Sequence, residues 1–175
     1  MRGRIGNVAA GVLLAAGLAQ AGPTVFRRGM DRVSSLDPAM ASSLYAARAV
    51  QLVYETLLEY DYRARPYRLI PGLATHLPEV QSNGCVYVFT LHPEARFQAD
   101  PCFGPDGSGP PRGRPVTAED VVFSLKRLAD RRLASPGSWL VEDVIAGMRA
   151  FAETSETGSA TDYGRPVSGL REPRR

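Results

Sequence analysis

Apolar and polar positions follow two different periods along this chain. At residues 86–91, Tyr87, Phe89 and Leu91 alternate with Val86, Val88 and Thr90. Such a run of β-branched and aromatic residues predicts a half-buried strand, and Asn83-Gly84 before it signals a tight turn. At residues 41–54 the period becomes helical. Tyr45, Ala49, Leu52 and Val53 share one face, while Arg48, Gln51 and Glu55 lie on another. A second helix is expected after Thr117, whose hydroxyl can accept a first-turn N–H while Glu119 and Asp120 suit the positive end of the helix dipole. Its inward stripe is Val121, Val122, Leu125, Leu128 and Ala129, with Lys126, Arg127 and Asp130 on a solvated face. A third helix is predicted over residues 139–152, burying Val141, Val144, Ile145, Met148, Phe151 and Ala152.

Weaker signals fill the gaps. Residues 24–28 and 57–60 read as short strands, and 61–68 as a polar connection containing Pro66. Pro38 keeps Asp37 out of the helical region. Pro71-Gly72, Leu77-Pro78 and Ser135-Pro136-Gly137 punctuate the chain. Residues 100–114 predict an irregular loop, 153–165 a polar one, and little after Val167 looks able to pack. Strands and helices do not alternate at lengths that build a doubly wound sheet, so the expected class is α+β (mixed α/β). The 175 residues suffice for one domain with a core, and 17 Gly with 14 Pro favour loops over a helical bundle.

The first 21 residues read as an export signal. Arg2 and Arg4 precede a short apolar run, and Ala19-Gln20-Ala21 offers a small-x-small cleavage site before Gly22. That run is too short to span a bilayer comfortably. Those two arginines supply most of the net charge of +3, so the basic balance gives no reason to expect nucleic acid, and the C-terminal Arg171, Arg174 and Arg175 read as a solvated tail. Export would bring Cys85 and Cys102 into an oxidising compartment where they can pair. Sequence does not fix their Cα separation, so a disulfide and two free thiols both stand.

Signals for catalysis are thin. The chain has no Gly-rich phosphate loop, H-E-x-x-H, G-x-S-x-G or C-x-x-C. Glu119 and Asp120 are adjacent on a helix and point about 100° apart, which suits capping better than acid–base work. His76 and His92 are isolated and read as surface residues, and two cysteines without neighbouring histidines make a poor zinc site. Tyr54, Tyr60, Tyr62 and Tyr67 could stack on a sugar or peptide, although scattered boundary tyrosines are common. No catalytic residue, metal or cofactor is expected, and the chain is read as a non-enzyme.

A series of phrases carries more information. They are Ser35-Leu36-Asp37-Pro38, then Tyr54-Glu55-Thr56-Leu57-Leu58-Glu59-Tyr60-Asp61, then Pro71-Gly72-Leu73-Ala74, Phe89-Thr90-Leu91, and the stretch from Pro115 through Thr117-Ala118-Glu119-Asp120 to Leu128. In this order they resemble the N-terminal region of extracellular solute-binding proteins of family 5, the oligopeptide, dipeptide and nickel receptors of ABC importers.

The resemblance implies the N-terminal portion of a two-lobed, type II periplasmic binding protein-like fold. It implies a signal peptide at 1–21, part of a solute-binding domain at 22–170 and an atypical, truncated tail at 171–175. Similar proteins close two lobes on a ligand and present it to a permease, holding a peptide backbone like an added strand. By this resemblance the groove would be lined by Ser42, Ser43 and Leu44, and by Gly137 and Trp139. An aromatic often follows the Ser-Pro in relatives, where this chain has Gly137 and then Trp139 two positions later. The implied role is a periplasmic receptor for an oligopeptide or similar small solute, partnered by an ABC importer permease and meeting the membrane only through it. As a truncated piece it is expected not to bind ligand alone. A self-sufficient secreted binding or scaffold domain is the alternative, with a secreted hydrolase behind it.

Overall fold

The computed structural model describes residues 29, 32–103, 113–157 and 160–172. The predicted export signal and the strand predicted at 24–28 lie outside the described residues. In order, the elements are helix α1 (Leu44–Val50), strands β1 (Leu58–Tyr60), β2 (Leu69–Pro71), β3 (Glu79–Gln81) and β4 (Val86–Val88), and helices α2 (Ala118–Ala129), α3 (Trp139–Glu142) and α4 (Met148–Thr157).

The strands form two antiparallel hairpins. In the first, Leu58 pairs with Pro71 and Tyr60 with Leu69. In the second, Glu79 pairs with Val88 and Gln81 with Val86. Asn83 and Gly84 make the expected turn, Asn83 in the left-handed region at φ 56° and Gly84 at φ 90°. Backbone bonds then join the sequence phrases in series. The Thr56 carbonyl accepts from Leu73 N, the Thr90 carbonyl from Thr75 N and the Leu73 carbonyl from His92 N. Farther along, Phe97 N donates to Arg114 O and Val116 N to Ala95 O, which delivers the chain to α2. Gly72 is needed in this relay, because a Cβ there would lie 2.3 Å from the Thr56 carbonyl oxygen.

Helix α2 starts where expected. Asp120 reaches back to accept the Thr117 N–H at 2.8 Å in a reciprocal capping box, and Arg114 grips the same carboxylate. The hydrophobic core lies among the three later helices: Ala129, Val141, Met148, Phe151, Ala152 and Val167 are buried, with Leu125, Leu128, Ile145, Tyr163 and Leu170 packed against them.

Several expectations are corrected. The predicted third helix is two, α3 and α4, separated at Gly147 with φ 81°, and Val144 is exposed rather than inward. A Cβ at Gly147 would lie 2.7 Å from Ser168 Oγ, so the break is where the C-terminal segment comes closest. Helix α4 runs on to Thr157, inside the stretch read as loop. Val167 and Leu170 pack on the core, although the sequence offered little there. Helix α1 is shorter than predicted and buries Ala46, while Leu52 and Val53 are exposed. In β4, Val86, Tyr87 and Val88 are all exposed, so the alternation marks a strand that no second layer covers among the described residues.

Candidate functional site

The turn at Pro38–Met40 anchors the N-terminal side of the site. Pro38 presets the backbone, and Asp37 caps it by accepting the Ala39 N–H at 3.0 Å. The same carboxylate takes a two-pronged grip from Arg127 at 3.0 and 2.7 Å. Hydrogen bonding from Arg127 holds Asp37 below the ordinary carboxylate value and raises Arg127 in turn. Arg127 therefore ties the chain across 90 residues and is only partly solvated.

A second tie lies beside it. Ser135 is buried, and its Oγ donates to the Ala39 carbonyl at 2.6 Å while accepting the Gly137 N–H at 3.2 Å. This bond joins the two stretches singled out in the sequence, since Ser42 follows Ala39 closely and Gly137 follows Ser135. The backbone on either side of Ser42 is extended, at Ala41 (φ −74°, ψ 96°) and Ser43 (φ −99°, ψ 155°). Ser43 is occupied as a cap, its Oγ accepting the Ala46 N–H at 3.1 Å. Ser42 and Leu44 are exposed. Trp139 opens α3 and is 67% exposed, so the core-packing role usual for such a residue does not hold. A Cβ at Gly137 would make ordinary contacts, 3.7 Å from Leu128 and Leu140, so steric crowding does not demand glycine there. The candidate residues thus flank one hydrogen-bonded junction, with Ser42, Leu44 and Trp139 exposed and Ser43 and Gly137 half-buried.

Sequence reasoning missed the polar groups behind that junction. Lys126 is 6% exposed, and its Nζ donates to the carbonyls of Tyr163 and Arg165, both at 2.8 Å. Asp130 is buried and accepts the Tyr163 hydroxyl at 2.6 Å. Burial raises Asp130, but the bonds from Tyr163 and its other partners outweigh that and leave its pKa lowered. Burial and the Asp130 bond push Tyr163 up to about 12. Ser155, also buried, accepts the Arg131 N–H at 3.0 Å. These charged residues lie on a face that periodicity assigns to water. The chain that covers them, around Tyr163, carries no periodic signal.

A cavity of about 320 Å³ lies elsewhere, between α2 at Glu119, Phe123 and Lys126 and the stretch bearing Tyr163, Gly164 and Glu172. The Lys126 ammonium donates to the carbonyls of Tyr163 and Arg165 beside this cavity, and Glu119 and Glu172 are the acids that line it. Among the described residues no group of three or more His, Cys, Asp or Glu gathers as a metal site, and no helix is long and apolar enough to cross a membrane. Cys85 and Cys102 are both free and exposed, which corrects the paired alternative. Cys85 closes the β3–β4 turn by donating its N–H to Ser82 O, whereas Cys102 sits in a turn held by Asp100. The Asp100 hydrogen bond raises the Cys102 thiol.

Comparison with known proteins bears on the family and the fold. Residues 68–162 match the family described as bacterial extracellular solute-binding proteins, family 5 Middle. The periplasmic murein peptide-binding protein MppA of Escherichia coli is 30% identical over 131 residues, 75% of this chain and 20% of that protein. The peptide transport periplasmic protein SapA of Salmonella typhimurium is 38% identical over 103 residues, 58% of this chain and 17% of that one. Among solved structures, the unliganded open form of the murein tripeptide binding protein MppA superposes with a TM-score of 0.53 at 27% identity. That match covers 78% of this chain and 23% of the other, so the fold described is a part of the type II periplasmic binding protein architecture. This chain belongs to the bacterial extracellular solute-binding proteins of family 5.

Proposed function

We propose that the chain is part of the receptor component of a peptide-type ABC importer. It acts in the periplasm after export by a signal at residues 1–21, and residues 22–170 belong to the ligand-binding domain. Its ligand is an oligopeptide or a similar small solute, passed to a membrane permease. Family membership over residues 68–162 carries the reading, and the Ser135–Ala39 tie supports it by holding two solvent-facing stretches at one junction. Ser42 and Ser43 offer extended backbone to a peptide, Leu44 stands beside them at the start of α1, and Gly137 and Trp139 form the opposite margin. Because Leu44 is 62% exposed and Trp139 is similarly open, the described residues alone do not enclose a ligand, and closure requires a second lobe. The chemistry is binding without turnover.

A chimera tests this. Residues 32–170 would replace the matching stretch of the Escherichia coli murein peptide-binding relative, with peptide binding followed by calorimetry. The folded chimera is expected to bind peptide, and Trp139→Ala to weaken it. A chimera that melts cooperatively yet binds no peptide would refute the receptor reading. The chain by itself is expected to show no saturable peptide binding.

A further inference from the structure

The tip of the β1–β2 hairpin is the most strongly marked surface outside the candidate site. Between Tyr60 and Leu69 the chain reads Asp61-Tyr62-Arg63-Ala64-Arg65-Pro66-Tyr67-Arg68, three arginines against one aspartate, interleaved with aromatics. Every residue from 65 to 72 is exposed, and Tyr62 is 88% exposed.

The tip is ordered. Asp61 N donates to Arg68 O at 2.9 Å, and the Asp61 carboxylate accepts the Arg63 N–H at 2.9 Å. Arg65 donates to the carbonyls of Tyr62 and Ala64 and lies 4.6 Å from the Tyr67 ring centroid. Tyr67 in turn meets Tyr60 edge to face at 6.1 Å. Among the described residues, no ion pair holds Arg63, Arg65 or Arg68. Glu59, the nearest other acid, has its Cγ beside Gly72. The one acid at the tip is thus occupied with backbone, while Arg63 and Arg68 are exposed without an ion pair among the described residues and Arg65 lies over Tyr67.

We propose that this tip docks on an anionic phospholipid surface. Arginines meet headgroup phosphates with charge-assisted bonds. Tyrosine suits the headgroup layer, where an apolar ring and a polar hydroxyl are both satisfied. A narrow exposed hairpin end offers no concave surface for a folded acidic partner, whereas a lipid surface conforms to it. The tip would give the chain a membrane contact of its own, additional to any made through a permease.

The test is co-sedimentation with vesicles of phosphatidylcholine, alone or containing about one-third phosphatidylglycerol, at several salt concentrations. Binding is expected only to the anionic vesicles and should fall as salt rises. Each of Arg63→Ala, Arg65→Ala and Arg68→Ala should weaken it about fivefold, and the triple variant about a hundredfold. Tyr62→Trp in a Trp139→Phe background should shift its emission to the blue on anionic vesicles. Val80→Asp, in the other hairpin, should leave binding unchanged. Equal binding to neutral vesicles would overturn the proposal. So would a folded triple variant that binds normally, a loss caused by Val80→Asp alone, or capture by polyglutamate without capture by vesicles.

Discussion

Replacing Lys126 by Met removes a buried ammonium and keeps the stem that packs beside it. The Nζ of Lys126 holds two carbonyls, those of Tyr163 and Arg165, at 2.8 Å each, and lies 5.7 Å from the Phe151 ring centroid. A hydrogen bond to a charged group contributes about 1.5–3 kcal/mol, so two set an upper bound of about 3–6 kcal/mol. Tyr163 is only partly buried and Arg165 is exposed, so water can replace part of the loss. Methionine also restores a sulfur–aromatic contact worth about 0.3–1.5 kcal/mol. The expected net cost is about 2–3 kcal/mol. Urea unfolding should show a lower midpoint at an unchanged slope, and amide exchange should quicken across residues 163–170 before anywhere else. A midpoint change equivalent to less than about 0.5 kcal/mol, within the range of an ordinary surface substitution, with unchanged exchange would refute the reasoning. The C-terminal stretch would then be held by Val167 and Leu170 alone.

Acid should loosen the N-terminal turn. Arg127 holds the folded pKa of Asp37 below its ordinary 3.8, so the tie contributes above that value and is lost as pH falls through the lower, folded one. Asp37→Asn should flatten the stability–pH slope in that acid range, measured by melting temperature. In alkali the sign reverses for Tyr163, whose pKa is pushed from 10.0 to about 12. Its contribution is full below pH 10 and lost toward 12, and the tyrosinate absorbance titration should show a late component that Tyr163→Phe removes. Gly147→Ala puts a side chain at φ 81° and 2.7 Å from Ser168 Oγ, which should cost at least 1–2 kcal/mol by the left-handed penalty alone. Ala134→Gly should do the opposite, gaining up to about 1 kcal/mol, because Ala134 already sits at φ 52°. Both are read from thermal melts against the parent chain.

Elements with strong local signals were legible in the sequence. Asn83-Gly84 forces its turn through left-handed backbone, and Thr117 with Asp120 starts α2 through a bond spanning three residues. Strands β2 and β3 were not legible, because three residues are too few for a period and prolines flank or join them. The roles of Lys126, Arg127 and Asp130 were hidden for a different reason. Helical periodicity reports polarity, and here a polar face is covered by chain from positions 37 and 163, so burial came with hydrogen-bond partners that no local pattern announces. The two candidate stretches, at Ser42 to Leu44 and at Gly137 and Trp139, were proposed from the family resemblance and not from any local pattern. Their union through Ser135 and Ala39, 96 residues apart, required the structure.

That separation has a consequence in time. Whether the chain leaves a ribosome or a translocation channel, it emerges N-terminus first, so the Ser135 hydroxyl appears later than the Ala39 carbonyl it must meet across 96 residues. For that interval the turn at Pro38–Met40 has only its own Asp37 cap to hold it. The hairpins between, closed by turns of a few residues, form on microsecond scales and are complete long before. The margin bearing Ser42 and Leu44 is therefore completed only after both hairpins, when α2 and the Ser135 turn arrive to lock it.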